Sequence, residues 1–105
     1  MSIISSTAAQ HRQPVHPGEI LREEVMPALG VTVVQAAKHL GVSRQSLHKL
    51  LAEQVAMTPE MAIRVGKFCG NGPEVWLAMQ MRLELWVAQR SMADNVARIP
   101  TMGMA

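Results

Sequence analysis

The chain has 105 residues, of which 49% are apolar, and its formal net charge is +2. This length allows one domain with a modest core, and this apolar content excludes a disordered chain. No segment approaches the ~20 apolar residues of a membrane-spanning helix, and the start of the chain has neither the basic residues nor the long apolar run of a secretion signal. The composition therefore predicts a globular cytoplasmic protein that does not contact a membrane.

The first two segments are predicted to be an arm and a helix. Residues 1–15 are rich in Ser, Thr and Gln, and we expect them to form a flexible N-terminal arm. Pro17 opens a helix at a position where its missing N–H costs nothing. Four residues supply the apolar side of this helix: Ile20, Leu21, Val25 and Leu29. We expect Pro27 to bend or end the helix and Gly30 to close the segment.

Residues 33–52 predict two short helices joined by a tight turn at Gly41. Apolar residues recur at helical spacing on both sides of the turn: Val33, Ala36, Ala37 and Leu40 before it, and Leu47, Leu50 and Leu51 after it. Gly41 can adopt the left-handed conformation that ends a helix, Val42 can fill the corner, and Ser43 is a good N-cap. Thr32 can cap the first of the two helices. This register favours a helix-turn-helix unit over an ordinary helix pair.

The second of these helices, about 44–52, exposes side chains that can donate hydrogen bonds. They are Arg44, Gln45, Ser46, His48 and Lys49, and none of them is acidic. A helix start of this composition suits the floor of the DNA major groove. We expect base edges to be reached by Arg44, Gln45 and Lys49, and phosphates to be held by Ser43, Lys38 and the N-terminus of the preceding helix.

The distribution of charge says more than the net charge. Between Met26 and Ala52 there is no acid, whereas the first helix has three, Glu19, Glu23 and Glu24. A basic half that faces phosphate and an acidic edge that faces away would suit a DNA-binding protein. An ordinary solvated mixed surface explains the charges alone equally well.

Two further helices follow a short loop, 53–57. The run Thr58-Pro59-Glu60-Met61 combines a cap, a proline at the first position and an acid in the first turn. The residues expected inward on this fourth helix are Met61, Ala62, Val65 and Phe68, and Gly70 and Gly72 end it. A fifth helix is predicted from Pro73 to about Arg90.

The fifth helix has two apolar stripes, although a helix that covers only its own core needs one. One stripe contains Trp76, Met79, Leu83, Trp86 and Val87, and the other contains Leu77, Met81, Leu85 and Ala88. Gln80 and Glu84 separate the stripes on one side, and Arg82 and Gln89 on the other. We predict a homodimer interface on the second stripe, with two alternatives: the C-terminal tail, 91–105, covers it, or the aromatic stripe is the one that pairs.

The sequence has no recognisable catalytic or metal-binding pattern. The lone Cys69 follows an apolar run near a helix end and is interpreted as a buried structural thiol. The four histidines lie in different segments without ligand spacing. The sequence also lacks a Ser-His-Asp set and a Gly-rich phosphate loop. These patterns predict a protein that is not an enzyme and uses no metal and no cofactor.

Four motifs occur in an order and at a spacing that resemble HigA-type antitoxins, members of the Xre/Cro-like repressor superfamily. They are His16-Pro17-Gly18-Glu19-Ile20-Leu21, the helix-turn-helix, Thr58-Pro59-Glu60-Met61-Ala62 and Pro73-Glu74-Val75-Trp76-Leu77. The resemblance covers about residues 16–90. It implies that the all-α chain forms a five-helix, λ-repressor-like DNA-binding domain, with the fifth helix used for dimerisation.

The resemblance also implies a function, that of the antitoxin in a type II toxin–antitoxin module. Such proteins bind and silence a HigB-like, ribosome-dependent, mRNA-cleaving toxin. They also dimerise on an inverted-repeat operator of double-stranded DNA and repress their own operon.

Two departures from the family pattern keep alternatives open. Related repressors often have Gln at the start of the second helix, where it braces a phosphate; this chain has Val33, with Gln35 as the nearby candidate. Family members tend to have Gly and a basic residue in the loop after the recognition helix, whereas 53–57 has no basic residue. Fewer phosphate contacts would weaken DNA binding. The alternatives are a module that neutralises a toxin without binding DNA and a stand-alone Xre-type regulator.

Overall fold

The computed structural model describes residues 12–104, which form six helices and no strand. Helix α1 (17–29) comprises α-helical Pro17–Ile20, a π-helical turn Leu21–Val25 and α-helical Met26–Leu29. The others are α2 (Val33–Leu40), α3 (Arg44–Leu51), α4 (Pro59–Cys69), α5 (Glu74–Ser91) and α6 (Ala93–Ala97). Most of the predicted arm lies outside the described residues. Within the described range, no helix is long and apolar enough to span a bilayer.

Helix α1 continues past Pro27 because of the π-helical turn before it. In this turn the N–H of Met26 donates to the carbonyl of Leu21, five residues earlier. The extra residue alters the carbonyl positions with which the proline ring would otherwise collide. It also shifts the apolar face by one position, so Met26 is buried and Leu29 is 49% exposed. Pro27 therefore does not end the helix, and the expected inward place of Leu29 is wrong. Gly30 closes the segment as predicted.

The motif at the start of α1 ties this helix to the rest of the domain. The Nδ1 atom of His16 accepts from the N–H of Gly18 at 2.9 Å, and Nε2 lies 2.9 Å from the carbonyl oxygen of Val55. The imidazole makes both bonds only in the neutral form with its proton on Nε2. A Cβ on Gly18 would lie 1.9 Å from the carbonyl oxygen of Leu50, so this glycine allows the backbones of α1 and α3 to touch.

The core lies between α1 to α4 and the first half of α5. Its buried apolar members are Leu21, Met26, Ala36, Ala37, Leu40, Leu47, Leu50, Leu51, Met57, Ala62, Val65 and Trp76. Of the aromatic stripe on α5, Trp76 and Leu83 are buried as predicted, but Val87 is 48% exposed. The reason is length: α5 runs beyond the core, and between Glu84 and Met104 only Trp86 is even half-buried.

Gln80 is buried rather than a solvated separator of the two stripes, which corrects the sequence-based expectation. Its Oε1 accepts from the N–H of Met57 at 2.8 Å, and its Nε2 donates to Glu84 at 2.8 Å. A buried amide with both of its groups paired carries no large desolvation penalty. Gln80 thereby fixes the loop that follows α3 to helix α5.

The C-terminal segment does not cover the second stripe of α5. Residues 87–104 are all exposed, and the short helix α6 lies in the predicted C-terminal tail. Met81 and Leu85 are 58% and 51% exposed. The stripe therefore faces solvent in the single chain, and the alternative in which the tail folds over it is wrong.

Candidate DNA-binding surface

The turn between α2 and α3 has the predicted form. Gly41 is left-handed, with φ 72° and ψ 32°. The N–H of Val42 donates to the carbonyl of Ala37 at 3.0 Å. Arg64 of α4 adds a contact that the sequence did not reveal, because its Nη1 donates to the carbonyl of Leu40 at 2.8 Å. These two bonds join the end of α2 to the turn and to α4.

Helix α3 is anchored on one side and free on the other. The Oγ of Ser43 accepts from the N–H of Ser46 at 3.0 Å, which caps the helix as predicted. Leu47, Leu50 and Leu51 are buried. The remaining face carries Arg44, Gln45, Ser46, His48 and Lys49, and all five are exposed.

The structure brings the polar candidates of α3 together. Ser43, Arg44, Gln45 and His48 line one shallow depression at the start of the helix. Ser46 and Lys49 lie on the neighbouring side, beside the loop that follows α3. Within residues 12–104, no side-chain hydrogen bond or ion pair occupies Arg44, Gln45 or Lys49, so their donors are available to a ligand.

The candidates outside this face differ in what they can offer. Gln35 forms a capping box with Thr32: its Oε1 accepts from the N–H of Thr32 at 2.9 Å, and the Thr32 hydroxyl accepts from the N–H of Gln35 at 3.1 Å. Only the NH₂ group of Gln35 remains free for a phosphate. Lys38 is exposed one turn later on α2.

The loop after α3 has an unusual backbone at Glu53, whose φ is 62°. This is the conformation that glycine adopts without cost, and glycine is the residue that the family resemblance predicts in this loop.

Arg22 of α1 contacts the same loop. It donates to the carbonyl of Leu51 and to Glu53, the latter at 3.3 Å, and it also pairs with Glu23 at 2.8 Å. Hydrogen bonds to Glu23 and Glu53 raise the pKa of Arg22 against the opposing effect of desolvation. Arg22 thereby balances the negative charge of Glu53 beside the recognition helix.

The predicted interface residues on α5 do not share one environment. Met81, Leu85 and Ala88 are exposed, whereas Leu77 is half-buried and packs against the core. Leu77 can therefore contribute only part of its surface to a second subunit. Cys69, which the sequence predicted to be buried, is only half-buried, and this burial raises the pKa of its thiol.

Known proteins resemble the chain in sequence and in structure. No family model matches the chain. Antitoxin HigA-1 of Vibrio cholerae is 36% identical over 75 residues, which are 71% of this chain and 70% of that one. Virulence-associated protein I of Dichelobacter nodosus is 34% identical over 88 residues, 83% of this chain and 82% of that one.

Solved structures resemble the chain over most of its length. Antitoxin HigA of Pseudomonas aeruginosa, determined with the higBA promoter, has a TM-score of 0.79 at 27% identity, covering 86% of this chain and 99% of that one. A HigA-family antidote protein of Coxiella burnetii also has a TM-score of 0.79, at 30% identity, with coverage of 88% and 100%. Antitoxin GraA in complex with its operator has the same score at 31% identity, with coverage of 90% and 95%.

The six helices, the left-handed turn at Gly41 and the exposed polar face of α3 define a helix-turn-helix protein of the Xre/Cro-like class. Within that class, Antitoxin HigA-1 is 36% identical over 71% of the chain, and this similarity identifies the family. The chain belongs to the HigA family of antitoxins.

Proposed function

We propose that this protein is the antitoxin of a type II toxin–antitoxin module and that it represses its own operon by binding an operator as a homodimer. It inserts α3 of each subunit into the major groove of an inverted repeat, with the two recognition helices ~34–36 Å apart. It also binds and neutralises a HigB-like, mRNA-cleaving toxin. It is not an enzyme, since its relatives are antitoxins and transcription regulators.

The observation that carries the DNA-binding proposal is the exposed face of α3. A capped helix presents Arg44, Gln45 and Lys49 without side-chain partners among residues 12–104, and the whole helix-turn-helix unit has no acidic residue. Arg and Lys donate to guanine edges and Gln pairs with adenine, so these three side chains suit base recognition. Lys38 and the NH₂ group of Gln35 are placed on α2 for phosphate contacts.

A mobility-shift assay tests the proposal. The full chain is titrated onto a duplex that carries the promoter of its own operon and, as a control, onto a scrambled duplex of the same length. We expect a specific shift with two chains per site, and affinity for both duplexes should fall as salt rises. Equal binding to the two duplexes at every salt concentration would contradict an operator-specific role.

The loop 53–57 favours a second candidate, a module that neutralises a toxin without binding DNA. This loop carries no cation, and the carboxylate of Glu53 lies beside α3. Co-expression with the small protein encoded by the neighbouring reading frame separates the candidates. A stable complex without any promoter shift supports the second candidate, whereas a shift without a complex indicates a stand-alone regulator.

A further inference from the structure

A groove of about 310 Å³ runs along α3 on the side of Lys49. One wall is α3, with Ser46 and Lys49, and the other is formed by Val55 and Ala56 of the following loop and by Met61 of α4. Val55 is 42% exposed, although its backbone is firmly held. The groove thus combines aliphatic side chains with one cation, directly beside the predicted base-reading face.

The loop that forms the outer wall is fixed at both ends. The N–H of Gln54 donates to the carbonyl of Lys49 at 2.9 Å, and the carbonyl of Val55 accepts from His16 at 2.9 Å. The Oε1 atom of Gln80 accepts a hydrogen bond from the N–H of Met57 at 2.8 Å. These bonds determine where Val55 and Ala56 lie relative to Lys49 before any ligand binds, and such preorganisation limits the entropy lost on binding.

We propose that Val55, supported by Ala56, contacts the 5-methyl group of a thymine in each operator half-site, next to the base pair that Lys49 reaches. Val55 is thereby a specificity-determining residue, and this inference rests on the DNA-binding function proposed above. Thymine is the base that presents an apolar group in the major groove, and aliphatic side chains recognise it there. The loop, which has no basic residue, then reads sequence through an apolar contact.

The charge beside the groove favours DNA over a peptide as the occupant. Lys49 is the charged residue that lines it, and the nearest acid in the loop, Glu53, is paired with Arg22 at 3.3 Å. Arg44, Gln45 and His48, which line the depression at the start of α3, lie on the same helix as Ser46 and Lys49 of the groove. An occupant that spans both features has to be anionic and has to carry small apolar groups, as a thymine-containing duplex does.

Thymine-to-deoxyuridine replacement tests this contact, because it removes only the methyl group. Half-sites in the promoter duplex are first located by footprinting. Each thymine is then replaced in both half-sites at once, and the dissociation constant is measured for the full chain. One position should show about a fourfold loss per half-site, or about fifteenfold for the pair, as expected for burial of one methyl group.

The variant Val55→Ser should abolish this discrimination and bind thymine and deoxyuridine duplexes within about twofold of each other. Val75→Ser is the matched control, because Val75 is 43% exposed on α5, and it should keep the full discrimination.

The proposal is overturned if the ratio of the dissociation constants for the deoxyuridine and thymine duplexes is the same in Val55→Ser and the parent. It is also overturned if the parent is insensitive to replacement at every thymine. Both results would leave operator binding intact. Failure of the parent to shift the promoter would refute the DNA-binding function itself. A loss of toxin binding by Val55→Ser with an unchanged ratio would instead assign the groove to the toxin and also overturn the proposal.

Discussion

Gly18 shows how one residue sets the distance between two helices. Alanine normally improves a helix by about 1 kcal/mol over glycine, yet its Cβ here would lie 1.9 Å from the backbone oxygen of Leu50. We expect Gly18→Ala to destabilise the fold by about 3 kcal/mol or more, because two backbones have to separate. Urea unfolding measures this cost. Gly70→Ala is the control: it meets no atom within 4 Å and pays only for its left-handed φ, about 1 kcal/mol. A smaller loss for Gly18→Ala than for Gly70→Ala would contradict the close approach.

Gly41 is required mainly for its backbone conformation, and a Cβ at this position would also lie 3.0 Å from Nη1 of Arg64. At φ 72° a β-branched residue is strained, and Gly41→Val should lower the free energy of unfolding by about 1–3 kcal/mol or more. Gly41→Asn is the informative companion, because asparagine tolerates the left-handed region better than other residues. Thermal unfolding should rank the parent first, then the asparagine variant, then the valine variant. Equal midpoints for all three would mean that the turn is not under conformational constraint.

Arg44 is exposed at the start of α3, directly after the Ser43 cap. Arg44→Ala should weaken operator binding by about 1–3 kcal/mol, the usual value of a good base contact. The melting temperature should stay nearly unchanged, since the side chain makes no hydrogen bond within the described residues. Arg82→Ala removes an exposed arginine from α5 and is the control for net charge. Unchanged affinity for Arg44→Ala at matched salt would place the DNA elsewhere.

At the scale of elements, helix α5 does more than cover the core. Gln80 links it to the loop after α3, because its Oε1 accepts from the N–H of Met57. In Gln80→Leu this buried N–H loses its partner, and we expect a loss of about 1–3 kcal/mol in the free energy of unfolding. Amide hydrogen exchange should also speed up at Met57. Gln89→Leu, an exposed change on the same helix, should stay within about 0.5 kcal/mol of the parent. Slow exchange at Met57 in Gln80→Leu would show that the loop is held by other contacts.

At the scale of the whole molecule, the extended shape indicates an assembly. The chain measures 51 × 31 × 27 Å, and on the second stripe of α5 Met81 and Leu85 are 58% and 51% exposed. Exposed apolar surface of this extent marks an interaction site. We expect a homodimer in which the second stripe of α5 packs against its symmetry mate.

The double variant Met81→Glu with Leu85→Glu should convert the dimer into folded monomers, because like charges would face one another across a two-fold axis and lose water. Operator affinity should fall with dissociation. Sedimentation measures the mass and circular dichroism checks the fold. Met92→Glu with Val96→Glu carries the same change on α6 and should remain dimeric. A parent that is monomeric at micromolar concentration defeats the interface outright, and dissociation of the α6 variant instead would move it to the C-terminal segment.

Local signals in the sequence were sufficient for helices α2 to α5 and for the exposed surface of α3. Caps at Thr32, Ser43 and Thr58 and the left-handed Gly41 act within four residues of chain, so their effect can be predicted without knowing the fold. The periodicity of the leucines then determines which face of α3 is exposed. That this face contacts DNA remains a prediction.

Only the tertiary structure decided the interactions between distant residues. Gln80 looks like a solvated residue until Met57, 23 positions away, is placed beside it. Arg64 has no local signal for its bond to Leu40, and nothing near Gly18 in the chain indicates that Leu50 will touch it. The two stripes of α5 are similarly apolar, so periodicity cannot choose between them. The physical reason is common to all four cases: helix periodicity and caps arise from neighbouring residues, whereas burial depends on which helices meet and where the core ends.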